Sequence, residues 1–324
     1  MVVIWSFGLP FLPGYRDAAR RGRPVLPRQR PSLNVAVYDE GVPAFYLLQE
    51  LAPQQAAWLD EGAWRFGDSF IERTGSGRCG LSLSLCCPLP GGGRLEGRVE
   101  VEGTGCLPER GRAASPHAWT PLLAPAMGEA DLSLGDGRRF RLRGRAYHDR
   151  NSSLVPLDAL GIDEWFWARQ SERDEERVVY ALKGAAGELR LALTLAGDGS
   201  VRVHRDLELL LAPAGRARFG MPRYRRVSAS VDGEPFLVAY IGRPLDDGPF
   251  YLRSFLEDEG RAATRGYCEV VAPPRVDLDR HRPLVRMRVH RLSGENSLFL
   301  PLLSGPRRGR LARLARHLLG GAGA

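Results

Sequence analysis

The chain has 324 residues, a formal net charge of +8 and 44% hydrophobic residues. Its length is about twice the roughly 150 residues of an ordinary domain, so two domains are expected, and the apolar content excludes disorder over most of the chain. No apolar run reaches the roughly 18 residues of a membrane-spanning helix, and the positive charge is almost all arginine, Lys183 being the only lysine.

The arginines are scattered along the chain without interleaved aromatic rings, so a nucleic-acid surface is not expected. The five cysteines (Cys79, Cys86, Cys87, Cys106 and Cys268) are odd in number and show no Cys-x-x-Cys or Cys/His ligand spacing. Neither a disulfide framework nor a metal site is indicated, and reduced thiols acting as apolar filler are expected.

Met1 to Pro13 is apolar but lacks a basic leading region and contains Pro10 and Pro13. It reads as a buried strand running into a turn, not as a signal peptide, and the cytoplasm is the default compartment. Gly75-Ser76-Gly77-Arg78-Cys79-Gly80 has the spacing of a dinucleotide-binding loop. That motif needs a helix to follow it, whereas Leu81-Ser82-Leu83-Ser84-Leu85 alternates like a strand. The same two-residue period recurs at Gly97–Val101, Phe140–Arg143, Leu189–Leu193, Val201–Val203 and Val285–Val289. Turn signals separate these runs at Gly91-Gly92-Gly93, Gly135-Asp136-Gly137, Gly197-Asp198-Gly199 and Asp232-Gly233. Alternation gives one wet and one dry face, so the fold class is all-β, with antiparallel sheets closing into barrels or sandwiches.

Three segments stand apart chemically. His117 and Trp119 share a face if their segment is extended, as do Tyr147 and Asp149, with His148 and Arg150 on the opposite face. Trp165 and Trp167 share a face in the same way. Together they can line one cavity in which a carboxyl group, its pKa raised by apolar surroundings, donates a proton and aromatic faces hold a cation. A buried polar cluster that merely fixes a corner is the alternative. Between these segments and the later strands lies the best internal boundary, near residues 155 to 170. The charged stretch Ser171 to Arg177 reads as a solvated hairpin turn. His204-Arg205-Asp206 mimics a kinase catalytic loop but lacks its asparagine partner, and Asn151-Ser152-Ser153 is a glycosylation sequon only by pattern. In the tail from Gly305, Arg310, Arg313, Arg316 and His317 lie opposite Leu311, Leu314, Ala315 and Leu318 on a helical wheel. Such a helix can rest on an anionic bilayer or cap a barrel end.

The run from Pro116-His117-Ala118-Trp119-Thr120-Pro121-Leu122 through Ala124–Ala130 to Tyr147-His148-Asp149-Arg150-Asn151 resembles the carotenoid 1,2-hydratase (hydroxyneurosporene synthase-like) family. Trp165-Phe166-Trp167, Asn34–Tyr38 and Arg286–Val289 fit the same pattern, which covers nearly the whole chain. The resemblance implies two consecutive lipocalin-like antiparallel β-barrels, over residues 1–160 and 161–304, with a short C-terminal helix in a basic tail over 305–324. Family members carry a Trp-Trp-Tyr-rich strand ahead of this point, so with Met1 directly before Val2 the first barrel is expected to lack its first strand.

By the same resemblance the chain would hydrate the terminal double bond of an acyclic carotenoid such as neurosporene or lycopene, without a cofactor. Asp149 would be the proton donor and Tyr147 its neighbour. His117 would position water or relay a proton, and Trp119 would wall and stabilise the cation. Asn151, Trp165 and Trp167 are expected to line the substrate site. The implied partner is a hydrophobic isoprenoid, with peripheral contact at the cytoplasmic face of a membrane. A non-catalytic lipocalin-like isoprenoid carrier and a cyclase on the same fold are the alternatives.

Overall fold

The computed structural model describes residues 1–39, 42–75, 79–89, 92–103, 117–153, 155–258, 261–286 and 289–291. The basic tail, Cys106 and residues 76–78 of the glycine-rich run therefore lie outside the described residues.

The chain opens with β1 (Val2–Ser6), a short helix α1 (Tyr15–Arg20), β2 (Ser32–Asp39) and β3 (Val42–Glu50). Strands β1 to β3 pair antiparallel in one sheet. After β3 the chain leaves this sheet through a turn at Pro53–Gln55, where Pro53 has no N–H to continue a ladder. A second, seven-stranded sheet then runs from β4 (Ala56–Asp60) through β5 (Ala63–Phe66), β6 (Ser69–Thr74), β7 (Cys79–Pro88) and β8 (Arg94–Gly103) to β9 (His117–Leu134) and β10 (Arg139–Ser153). The alternating run Leu81–Leu85 lies in β7, with Leu81, Leu83 and Leu85 buried. With Val35, Phe45, Leu95 and Leu132 they form a core shared by both sheets.

A nine-stranded antiparallel sheet follows. Its strands are β11 (Ile162–Ser171), β12 (Glu175–Gly184), β13 (Gly187–Ala196), β14 (Val201–His204), β15 (Leu207–Arg216), β16 (Pro222–Val231), β17 (Glu234–Asp247), β18 (Tyr251–Asp258) and β19 (Arg261–Val271). Strand β19 pairs with β11, and β13 approaches β15, so the sheet curls around a core of Phe166, Ala168, Val179, Ala192, Met221, Val227 and Leu256. The Asp232-Gly233 turn joins β16 to β17 with both residues at positive φ (51° and 80°), the left-handed pair a tight hairpin requires. The all-β class expected from the alternation is what these sheets build.

One alternating run misleads. Over Val285–Val289 the pattern predicts a strand, but Val285 and Arg286 belong to a helical turn, α2 (Arg282–Arg286), Met287 and Arg288 lie outside the described residues, and β20 (His290–Arg291) is extended. Pro283 suits the first turn of a helix, Arg282 is tied to Asp17 and Asp277 at 2.6 and 2.9 Å, and Val285 is buried as a single helical position. Strand β20 then lies parallel to β3, opposite Gln49 and Glu50. The chain thus returns to the sheet formed by its first strands.

Candidate active site between two sheet backs

The seven-stranded and nine-stranded sheets meet back to back. On β10, Phe140 and Leu142 pack against the inner core, and His148 faces the same way, its ring 5.1 Å from that of Trp5. Tyr147 and Asp149 are on the opposite, outer face, as the strand period predicts. Strand β9 carries extra residues here: between Ala126 and Pro121 its register slips twice against β10, at a segment containing Pro121 and Pro125. Such bulges bend a strand and re-aim its side chains. Two slips restore the original parity, so His117 and Trp119 share the outer face with Tyr147 and Asp149.

Across the seam, the outer face of the nine-stranded sheet presents Trp165, Trp167 and Arg169 from β11. Val178 and Tyr180 of β12 lie beside them in register, as does Tyr267 of β19. The two faces interlock through aromatic rings. Trp119 stacks on Tyr180 with centroids 4.9 Å apart and planes 9° from parallel. His117 lies 4.6 Å from Trp165, and Tyr147 lies 5.7 Å from Trp167. Trp119, Tyr147, Trp165, Trp167 and Tyr180 belong to one apolar cluster with Ala124, Leu193 and Leu195.

Polar groups in this cluster are few and placed. The Trp119 indole N–H donates to Asp149 Oδ2 at 2.6 Å. Asp149 keeps some contact with solvent, yet the surrounding rings desolvate its carboxyl group and push the pKa up to about 6, with Glu269 adding to the rise. The Trp119 donor, the neighbouring Tyr147 hydroxyl and the Arg169 charge pull the other way. Burial pushes the His117 imidazole down to about 4, so it is neutral at neutral pH, and its Nε2 shares a 2.9 Å hydrogen bond with the Tyr180 hydroxyl. Burial first, then the nearby Asp149 charge, raise the phenol pKa values of Tyr147 and Tyr180, which therefore stay protonated. The Tyr147 hydroxyl and the indole N–H groups of Trp165 and Trp167 are buried and close no hydrogen bond.

Below the rings lies a buried ion pair. Arg169 sits between the faces of Tyr147 and Tyr267, 5.0 Å from each centroid. Its Nη1 donates to Glu176 at 3.1 Å, and the Ser171 hydroxyl also donates to Glu176. A second pair, Arg253 with Glu269 at 2.7 Å, flanks Trp167 across β19. Neither glutamate, nor Tyr180 or Tyr267, stood out in the sequence. Arg169 had a signal: it is two and four residues beyond Trp167 and Trp165, hence on their face. The stretch Ser171–Arg177 is a hairpin between β11 and β12 with exposed Arg173 and Asp174, but its reading as wholly solvated is corrected by Glu176, which is fully buried against Arg169.

Six of the seven candidate residues are thus brought together: His117, Trp119, Tyr147, Asp149, Trp165 and Trp167. Asn151 stands apart, exposed near the end of β10, although it lies opposite Trp119 in the strand register. An open cleft of about 890 Å³ runs along the same seam, but charged residues such as Arg145, Arg173, Glu102 and Asp174 line it, and none of the seven does. So polar a cleft does not suit an apolar ligand. Among the described residues no three His, Cys, Asp or Glu side chains gather as metal ligands, and no helix is long and apolar enough to cross a membrane.

A family model described as "Carotenoid hydratase CrtC" matches residues 3–297. The chain is 26% identical over 274 residues to the acyclic carotenoid 1,2-hydratase of Thiocapsa roseopersicina, covering 82% of this chain and 62% of that protein. It is 28% identical over 178 residues to a protein of Chlorobaculum tepidum named hydroxyneurosporene dehydrogenase, covering 48% and 44% of the two chains. The chain therefore spans less than two thirds of the length of these curated relatives. In fold it resembles a crystal structure described as AttH of Nitrosomonas europaea, with TM-score 0.51 and 16% identity over 75% of this chain and 82% of that one.

Proposed function

The chain belongs to the carotenoid hydratase CrtC family, and from that premise we propose that it adds water to the terminal double bond of an acyclic carotenoid, with Asp149 as the acid. The observation that carries this reading is a carboxyl group with a pKa near 6 set among stacked aromatic rings. An ordinary exposed aspartate is ionised at neutral pH and has no proton to give. Asp149 keeps a usable fraction of acid form.

In the proposed sequence the Asp149 proton passes to the less substituted carbon of the terminal alkene, whose π electrons form the new C–H bond. The other carbon becomes a tertiary cation. The carboxylate left behind and the faces of Trp119, Tyr180 and Trp165 stabilise that charge. Arg169 is a fixed positive charge near the site, but Glu176 neutralises it locally. Water then attacks the cation, and its surplus proton returns to the Asp149 carboxylate, directly or through neutral His117. The net change is one water added and no change of oxidation state, so the step needs no electron carrier.

Trp119 orients the carboxyl group by its hydrogen bond, and the Tyr147 hydroxyl stands beside it. The reading places the protein at the cytoplasmic face of the membrane that holds the carotenoid. The test is expression in cells that accumulate lycopene or neurosporene, followed by mass analysis of the pigments. A product heavier by one water, absent with Asp149→Asn, supports the reading. Unchanged pigment from folded wild-type protein contradicts it and favours a carrier or a cyclase.

A further inference from the structure

Strands β12 to β14 carry their apolar face beyond the site. In register on the outer side, Trp165 lies beside Leu182 and Leu189, Trp167 beside Tyr180 and Leu191, and Val178 beside Leu193 and Val203. Tyr180 and Leu193 are covered by the opposing sheet, but Leu189 and Val203 are each 44% exposed and Val201 is 42% exposed. Leu182 and Leu191, half-buried, bridge the covered and open parts. Every outward position of β13 from 189 to 195 is leucine, and those of the edge strand β14 are valine. Strands facing water normally place polar residues there, and apolar rows at an edge invite association. Leu193 and Leu195 are buried, so at a rise of about 3.4 Å per residue the open part of the β13 row, Leu189 to Leu191, is about 7 Å long, with Val201 and Val203 open on β14.

We propose that this strip is the track on which the unreacted length of the hydrocarbon chain lies while its end group meets Asp149. The inference rests on the hydratase reading. A substrate that reacts at its terminus must lead the rest of its chain away from the acid over apolar surface, and this strip begins at Trp165 and Tyr180, the rings around the acid. It is narrow and continuous with the site, which fits one extended chain.

The test uses the full chain with lycopene in detergent micelles, reading quenching of tryptophan fluorescence, which needs no turnover. The double variant Leu189→Asn, Val203→Asn is expected to weaken binding by about tenfold or more, the effect of withdrawing one to two aliphatic contacts. Leu210→Asn, at a leucine 69% exposed on β15 and off the strip, is the control and is expected to bind as wild type does. Unchanged binding by the double variant overturns the track. Unchanged binding with a lowered Tm assigns the strip to cover by the protein's own chain, and unchanged binding with loss of a wild-type dimer assigns it to a second copy; both overturn the proposal. Wild-type protein that binds lycopene without hydrating it leaves the track standing and removes the hydratase reading.

Discussion

Alternate residues of β11, β12 and β13 have opposite roles. Inward, Phe166, Ala168, Val179 and Ala192 pack into a close apolar core. Outward, one residue away in each case, Trp165, Trp167, Arg169 and Tyr180 build a face with a buried ion pair and two indole N–H groups that close no hydrogen bond. The inner face is what a curled sheet needs in order to fold. The outer face is costly by the same standard, because buried polar atoms without partners and buried charges destabilise. That cost is understandable if the face is kept for the chemistry of the carboxyl group it surrounds.

Asp149→Asn gives the sharpest separation of these roles. Loss of a general acid is expected to lower kcat by about 10²- to 10⁴-fold. The same change should stabilise the fold. The folded carboxyl group has a pKa near 6 against an ordinary value of 3.8, so below pH 3.8 both folded and unfolded forms are protonated and nothing is lost. As pH rises through 6 the folded protein must either hold a proton the unfolded chain has released or bear a buried charge. Two pH units of displacement correspond to about 3 kcal/mol of stability lost above pH 6. The asparagine variant should recover most of it in urea titrations at pH 8 and little at pH 4.

Glu176→Gln tests the ion pair beneath the rings. Leaving Arg169 buried without its counter-charge is expected to cost about 3–5 kcal/mol, read as a lower urea midpoint. An effect below about 1 kcal/mol would mean that solvent reaches the pair. A matched pair of substitutions then compares the faces directly. Phe166→Ala on the inner face should cost about 3–5 kcal/mol and leave the kcat of the folded fraction unchanged. Tyr147→Phe on the outer face removes a buried hydroxyl that has no hydrogen-bond partner, so stability should hold or rise by about 1 kcal/mol while kcat falls. If Tyr147→Phe destabilises as strongly as Phe166→Ala, the outer face is simply a second core.

Much of this was legible in the sequence wherever one face of a strand is wet. Leu81–Leu85 alternates because Ser84 faces water and Ser82 pairs with Glu100 on the face away from the core, and the parity of Tyr147 and Asp149 against His148 could be read directly. Legibility fails where both faces are buried. Val178, Val179 and Tyr180 are all enclosed, so the run shows no period to mark Tyr180 as a site residue. Glu176 and Glu269 reach the cluster only through pairing of β11 with β12 and β19, which no local pattern encodes. The two register slips in β9 were equally invisible, although Pro121 and Pro125 mark where the ladder lacks donors. At Val285 and Arg286 the alternating run opens in a helical turn, because Pro283 and the ties of Arg282 favour one.

The central claim is that Asp149 is the general acid in an aromatic seam, with its pKa raised to about 6, and the pH dependence of hydration tests it most directly. With Asp149 protonated below about 6 and His117 neutral above about 4, wild-type kcat should be bell-shaped, falling about tenfold per pH unit on its alkaline side. The Asp149→Asn variant should have only residual activity, with no alkaline limb near pH 6. A limb near pH 6 that persists in active Asp149→Asn protein would contradict the account, because the titrating acid would then be another group.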